Sequence, residues 1–241
     1  DNDFLSTPFN WQSAANETIL KKIRQGGIAG KGGATFPTHV KFSIDENKKI
    51  HTLILNGSEC EPFLRSDAFL MQKEAQKIIQ GAKIAQKLLA DPKIIIGIED
   101  DKPLAISSMQ AASAEDDTIE VVTVPTVYPT GGEKQLVELL TDQEVPLGGL
   151  TADIGIVLIN VATSFAIAEA VCYDKPLIER YTTVTGDVQH PRIVKNPLGT
   201  LAGELIDFAG GFQGAPSKLI LGGPMMGKSV KTLKVPVTKG S

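Results

Sequence analysis

The sequence predicts an α/β fold: a mostly parallel sheet covered by helices, followed by a small α+β module. Two observations carry this. Short apolar runs alternate with helical stripes up to about Tyr173, and such alternation implies parallel strands joined by crossover helices. Near Lys175 the pattern changes to β-branched and aromatic residues ahead of a Gly-Asp turn, which marks a separate unit.

Each element has its own signal. Asn16 to Gln25 reads as a helix with Asn16 as N-cap. "HTLILNG" is a short apolar run ending in Asn-Gly, a buried strand. "LMQKEAQKIIQGAKIAQKLLA" places Leu70, Met71, Ala75, Ile78, Ile79, Ala82, Ala85, Leu88 and Leu89 on a helical stripe, closed by Asp91-Pro92. "KIIIGIED" is the next strand, "KPLAISSMQAASA" a helix and "TIEVVTVP" a third strand. "GEKQLVELLT" opens a helix at Gly131-Gly132, "ADIGIVLINVAT" is a fourth strand and "SFAIAEAVCYD" a fourth helix. In the smaller unit, "LIERYTTVTGDV" is extended, "NPLGTLAGELIDFAGG" is a helix capped at Thr200, and "KLILGGPMMG" is a final strand. The expected limits are 1–174 for the sheet domain, 175–230 for the small module and 231–241 for a C-terminal tail.

Composition excludes several classes. The 241 residues are 42% hydrophobic, enough for a sizeable core. A net charge of -4 gives no footprint for nucleic acid. No run approaches the ~20 apolar residues of a membrane span, and "DNDFLSTPFN" lacks the features of a signal peptide. Cys60 and Cys172 form no CxxC pair and His39, His51 and His190 are scattered, so no metal site is expected. A reduced cytosolic setting is the simpler reading.

Four segments carry chemistry. "GIAGKGGATFPTHVK" packs glycines against Phe36, Pro37 and Lys41. Backbone N–H groups of such a turn converge on an anion. Lys41 would supply positive charge, Phe36 a stacking face, and Pro37 would stiffen the loop. The loop is neither a Walker A loop nor the usual dinucleotide fingerprint, and it reads equally as a surface loop with an incidental lysine. "NGSECEP" follows a strand, where an α/β sheet offers its crevice. Asn56 can both donate and accept, as reading a heterocycle edge requires, and Glu59 and Glu61 can hold hydroxyls or an amide. A solvated turn is the plain alternative. Cys60 reads as a packing residue. "VYPTGGEKQL" brings Tyr128, a ring with a hydroxyl, and Gly131 and Gly132 to a helix N-terminus, with Glu133 beside them. "NVAT" adds Asn160 and Thr163 at another strand end, Thr163 also reading as a helix cap. Met225 and Met226 read as gap fillers of the small module.

The ordered motifs "GGIAGKGGATFPTHVK", "LILNGSECEP", "YPTGGEKQL", "TVTGDV", "LIDFAGG" and "GGPMMG" resemble the RnfC component of Rnf electron transport complexes and the flavin subunit of respiratory complex I. The resemblance implies a Rossmann-like domain for FMN and NADH and a β-grasp module of the soluble-ligand-binding type. It would give Gly30, Gly32, Gly33, Lys41, Asn56, Glu59, Tyr128, Gly131, Asn160 and Thr163 to FMN. Glu61, Phe36 and Glu133 would lie on the nicotinamide side. It also implies a ferredoxin-like domain with [4Fe-4S] clusters, whose cysteine motifs this sequence lacks. The family usually has a second glycine where this chain has Thr35. The implied function is NADH oxidation at the entry of a membrane-associated complex. The implied location is peripheral, on the cytoplasmic side of the inner membrane and held by partner subunits, with no insertion of its own. The alternative is an assembly module that holds no flavin.

Overall fold

In a computed structural model, residues 9–44 and 48–241 are described. Residues 1–8 of the stretch read against a signal peptide lie outside them. The chain opens with α1 (Asn16–Gln25) and a one-turn α2 (Thr38–Lys41). Regular alternation follows: β1 (Thr52–Gly57), α3 (Ser66–Leu88), β2 (Lys93–Glu99), α4 (Pro103–Ser113), β3 (Ile119–Val124), α5 (Glu133–Thr141), β4 (Ile156–Asn160) and α6 (Val161–Tyr173). The four strands form one parallel sheet in the order β3-β2-β1-β4.

Both faces of the sheet are covered, which is why its strands are apolar almost throughout. Leu53 and Leu55 of β1 face a core shared with α1, α3, α4 and α6. Ile54, between them, points the other way, to Leu136 and Val137 of α5. Helices α3 and α6 touch so closely at Gly81 that a Cβ there would stand 1.8 Å from the Ser164 carbonyl oxygen. Ser164 Oγ seals the contact by donating to the Ile78 carbonyl at 2.7 Å.

The strand order creates the site. From β1 the chain steps outward through β2 to β3, then returns to lay β4 on the other side of β1. Helices α3 and α6, which follow β1 and β4, lie against each other on one face while α5 covers the other, and the strand order reverses at the carboxyl ends of β1 and β4, where such sheets bind ligands in a crevice. Asn56 and Asn160 are partners in register at that edge.

The small module has β5 (Glu179–Val184) antiparallel to β6 (Arg192–Pro197), then α7 (Ala202–Phe208). A second antiparallel pair joins β7 (Leu219–Leu221) to β8 (Lys228–Val230). Its own core holds Val184, Val188, Leu205, Ile206, Ala209 and Val237. Residues 231–241 pack as part of it: Ala202 N donates to Val235 O at 2.9 Å and Val237 N to Thr200 O at 2.8 Å.

Several boundaries differ from expectation. Helix α1 is capped by Ala15 rather than Asn16, and α7 by Leu201 rather than Thr200, whose hydroxyl turns back to Pro197 O. Helix α3 begins at Ser66, earlier than its apolar stripe, because Glu59 caps it from outside. Strand β8 carries no signal of its own: "KSV" is too short and polar to stand out in the sequence. Met225 and Met226 are exposed, so they do not fill gaps. No helix among the described residues is long and apolar enough to cross a membrane.

Candidate functional site

The crevice is built from backbone upward. Asn56 spends its side chain on the loops around it. Its Nδ2 donates to Gly131 O at 2.8 Å, and its Oδ1 accepts from Ser58 N at 2.9 Å. This draws the turn before α5 onto the β1 tip. Gly131 is required there, because a Cβ would lie 2.5 Å from Ser58 O and 2.9 Å from Cys60 Sγ. Gly132 is the N-cap of α5.

Asn160 does the same for the other wall. Its Oδ1 caps α6 by accepting from Ala162 N at 2.8 Å, and its Nδ2 donates to Asp67 Oδ2 at 2.5 Å. Thr163 Oγ1 accepts from Lys31 N at 2.9 Å and so ties the glycine loop to the first turn of α6. Gly30 N donates to Phe36 O, closing the loop on itself at 2.8 Å. Gly32 lies against the Asn160 side chain, while Gly33, at φ +105, has open space where a Cβ would be. Thr35 adopts φ +54, and its hydroxyl donates to Gly33 O at 3.3 Å beside Gly240. Phe36 and Tyr128 expose their rings.

Lys41 Nζ stands 3.2 Å from Glu133 Oε1, which also accepts from Thr151 Oγ1 at 3.4 Å. Glu61 turns away from this group. Its carboxylate accepts from Met225 N at 2.9 Å and Met226 N at 2.5 Å, in the turn between β7 and β8.

Beneath the glycine loop lies a charged knot. Glu59 accepts from Ser66 Oγ (2.9 Å), Asp67 N (3.1 Å) and Ala68 N (3.2 Å), capping α3. Burial, and then the neighbouring Asp67 charge, push its carboxyl up to about 7. Burial also raises Asp67, against the Asn160 hydrogen bond and the charges of Lys31 and Arg180. Burial, reinforced by Arg180, brings the Lys31 ammonium down to about 8. Sequence reasoning misses Lys31, Asp67 and Arg180. The first is visible as the cation inside the glycine run; the others come from separate elements and meet only on folding.

The structure thus brings Gly30, Gly32, Asn56, Glu59, Gly131, Asn160 and Thr163 to one edge, with Lys41 and Glu133 paired beside Thr151. It joins Glu61 to the small module. A cavity of about 320 Å³, lined by β5, β7 and Pro62–Leu64, lies apart from this edge, and one of about 200 Å³ has Lys31 of the glycine loop and Phe165 in its wall. The residues at the crevice fit a flat phosphorylated heterocycle. Gly33 leaves room over the loop, two aromatic faces are exposed, an ammonium is at hand, and Ser58 Oγ is buried without a partner at the β1 tip.

Sheet topology defines an α/β domain of the kind that binds ligands beyond its strand ends, joined to a small α+β module. The chain belongs to the Nuo51 FMN-binding domain family, whose model matches residues 23–169, and an SLBB domain is matched over 181–229. It is similar to a subunit of the proton-translocating ferredoxin:NAD(+) oxidoreductase complex of Clostridium ljungdahlii, with 45% identity covering 98% of this chain and 52% of the relative. The Na(+)-translocating counterpart of Acetobacterium woodii is 44% identical over 93% of this chain and 51% of its own length. The corresponding subunit of the ion-translocating oxidoreductase complex of Pseudomonas aeruginosa is 45% identical over 92% of this chain and 29% of its own length. The chain therefore spans about half or less of these relatives. Among solved structures, an NAD+-reducing [NiFe]-hydrogenase shares the fold, with a TM-score of 0.80 and 22% identity over 93% of this chain and 44% of that one.

Proposed function

We propose that the chain is the FMN-binding, NADH-oxidising entry module of a membrane-associated electron transport complex, attached through partner subunits on the cytoplasmic side. The observation that carries this is the meeting of the glycine loop, Asn56 and Asn160 at the β1/β4 edge. When bound, FMN supplies acceptance of two electrons from NADH and their release one at a time. The protein's own residues bind and orient. Gly32 and Gly33 give backbone donors beside an open space, since the N–H groups of Gly30 and Lys31 are spent on Phe36 O and Thr163 Oγ1, and Lys41 gives positive charge. Phe36 and Tyr128 offer ring faces. Asn56, Asn160 and Thr163 hold the walls at fixed spacing, since their side chains are already committed to backbone or to Asp67. Glu133 would turn from Lys41 toward the nicotinamide side. The iron–sulfur clusters would belong to further sequence. No cluster of three or more metal-ligating side chains occurs among the described residues.

Adding FMN to the purified chain, recording the absorbance spectrum and then adding NADH tests this. A retained flavin band that bleaches with NADH is the expected result. A chain that stays colourless after gel filtration from excess FMN would leave the assembly reading.

A further inference from the structure

We infer that the β7–β8 hairpin of the small module is a docking surface for an acidic protein that also presents apolar side chains. Charge is the first argument. The net charge of -4 conceals a division: residues 175–241 carry nine Lys and Arg against four Asp and Glu, whereas residues 1–174 carry 15 against 24. The positive excess gathers at the hairpin. Lys218, Lys228, Lys231 and Lys234 are exposed, and none has a carboxylate within 4.0 Å among the described residues.

Register sharpens the point. Leu219 pairs with Val230 and Ile220 with Ser229. Lys218 and Lys231 flank the open end of this ladder, one just before Leu219 and the other just after Val230. With no carboxylate beside them among the described residues, these lysines leave their charge open to a partner.

The apolar component sits at the hairpin turn. Met225 and Met226 are 53% and 73% exposed. The turn itself holds them out, because both N–H groups are fastened on Glu61. Gly223 permits this: it adopts φ +97, and a Cβ would fall 2.5 Å from Glu61 Oε2. Methionine suits a surface that must adapt to a partner, and a fixed turn lowers the ordering cost of association. A protein fits better than an anionic bilayer. Glu61 locks the turn to a domain of net charge -9, which a broad negative plane would repel and a local acidic patch would not.

The test titrates the full chain with a synthetic peptide of alternating Glu and Leu, read by NMR of the Met methyls and backbone amides. The expected result is shifts confined to residues 218–234, with affinity falling steeply between about 50 and 300 mM salt. Lys218→Glu/Lys231→Glu should weaken binding by at least about tenfold, and Met225→Ser/Met226→Ser by about fivefold with the salt dependence kept. Lys21→Glu, on the sheet domain, should change nothing. Shifts spread over the chain, an equal loss in the Lys21 variant, or indifference to the hairpin reversal would overturn the inference. So would binding to phosphatidylglycerol vesicles through the same lysines without binding of the peptide.

Discussion

Replacing Glu59 by Gln should flatten the dependence of stability on pH between about 5 and 8. Glu59 caps α3 with three hydrogen bonds, and it is buried beside Asp67. Its carboxyl lies at about 7 in the fold against 4.5 as the ordinary value. The native state therefore binds this proton more tightly than the unfolded chain does. That contribution is complete below about 4.5 and is lost as pH rises through about 7. Integrated from pH 5 to 8, the loss is on the order of 2–3 kcal/mol, from about 1.4 kcal/mol per pH unit between the two pKa values. Glutamine carries no proton to lose. It keeps an oxygen for one or two of the donors, at a cost of about 1 kcal/mol that does not vary with pH. Asp67 acts in the same direction, so the informative quantity is the difference between parent and Glu59→Gln. Lys31, lowered to about 8, changes stability in the opposite sense and only above that pH. Urea unfolding of the FMN-free chain at pH 5, 6, 7 and 8 measures the difference. A parent whose stability is level, or rises, relative to the variant across that range would refute the reasoning.

Gly81→Ala should cost about 3 kcal/mol or more, since its Cβ meets a backbone oxygen that α6 cannot easily move, and thermal unfolding reads the loss. Gly131→Ala should disorder the β1 tip, seen as faster amide exchange over residues 56–62, and weaken FMN binding about tenfold or more. Lys41→Ala should weaken FMN binding about tenfold or lower its reduction potential, the solvent-screened share of a unit charge a few ångströms away. Unchanged flavin retention together with an unchanged redox titration would remove the role assigned to Lys41.

Much of the fold is readable along the chain because its signals are local. Runs such as "TLILNG" and "KIIIGIE" form β1 and β2 with little change in extent, since strands buried on both faces must be apolar throughout. Asn56, Gly131, Asn160 and Thr163 are marked by position, at strand ends or helix starts, and a periodic pattern locates those. Their actual bonds are not visible there. The sequence suggests that Asn56 reads a heterocycle; in the fold it binds Gly131 O and Ser58 N. Glu61 looks like a neighbour of Glu59, yet two residues along an irregular turn send it to the other module. Asp67 and Arg180 carry no motif. Their importance comes from burial near one another, which depends on how β5 lies against α3 and not on any spacing.

Arg180 belongs to β5, reaches the carbonyls of Thr238 and Lys239, and lends its charge to Asp67 under the glycine loop. Cutting the chain at residue 174 would separate what reads as two domains and would leave Asp67 short of a cation that only the far side provides. The severed first part should grip Asn160 less firmly and hold its nucleotide less tightly. The line between the two units marks a change of architecture, not a seam along which the polypeptide can be divided without loss.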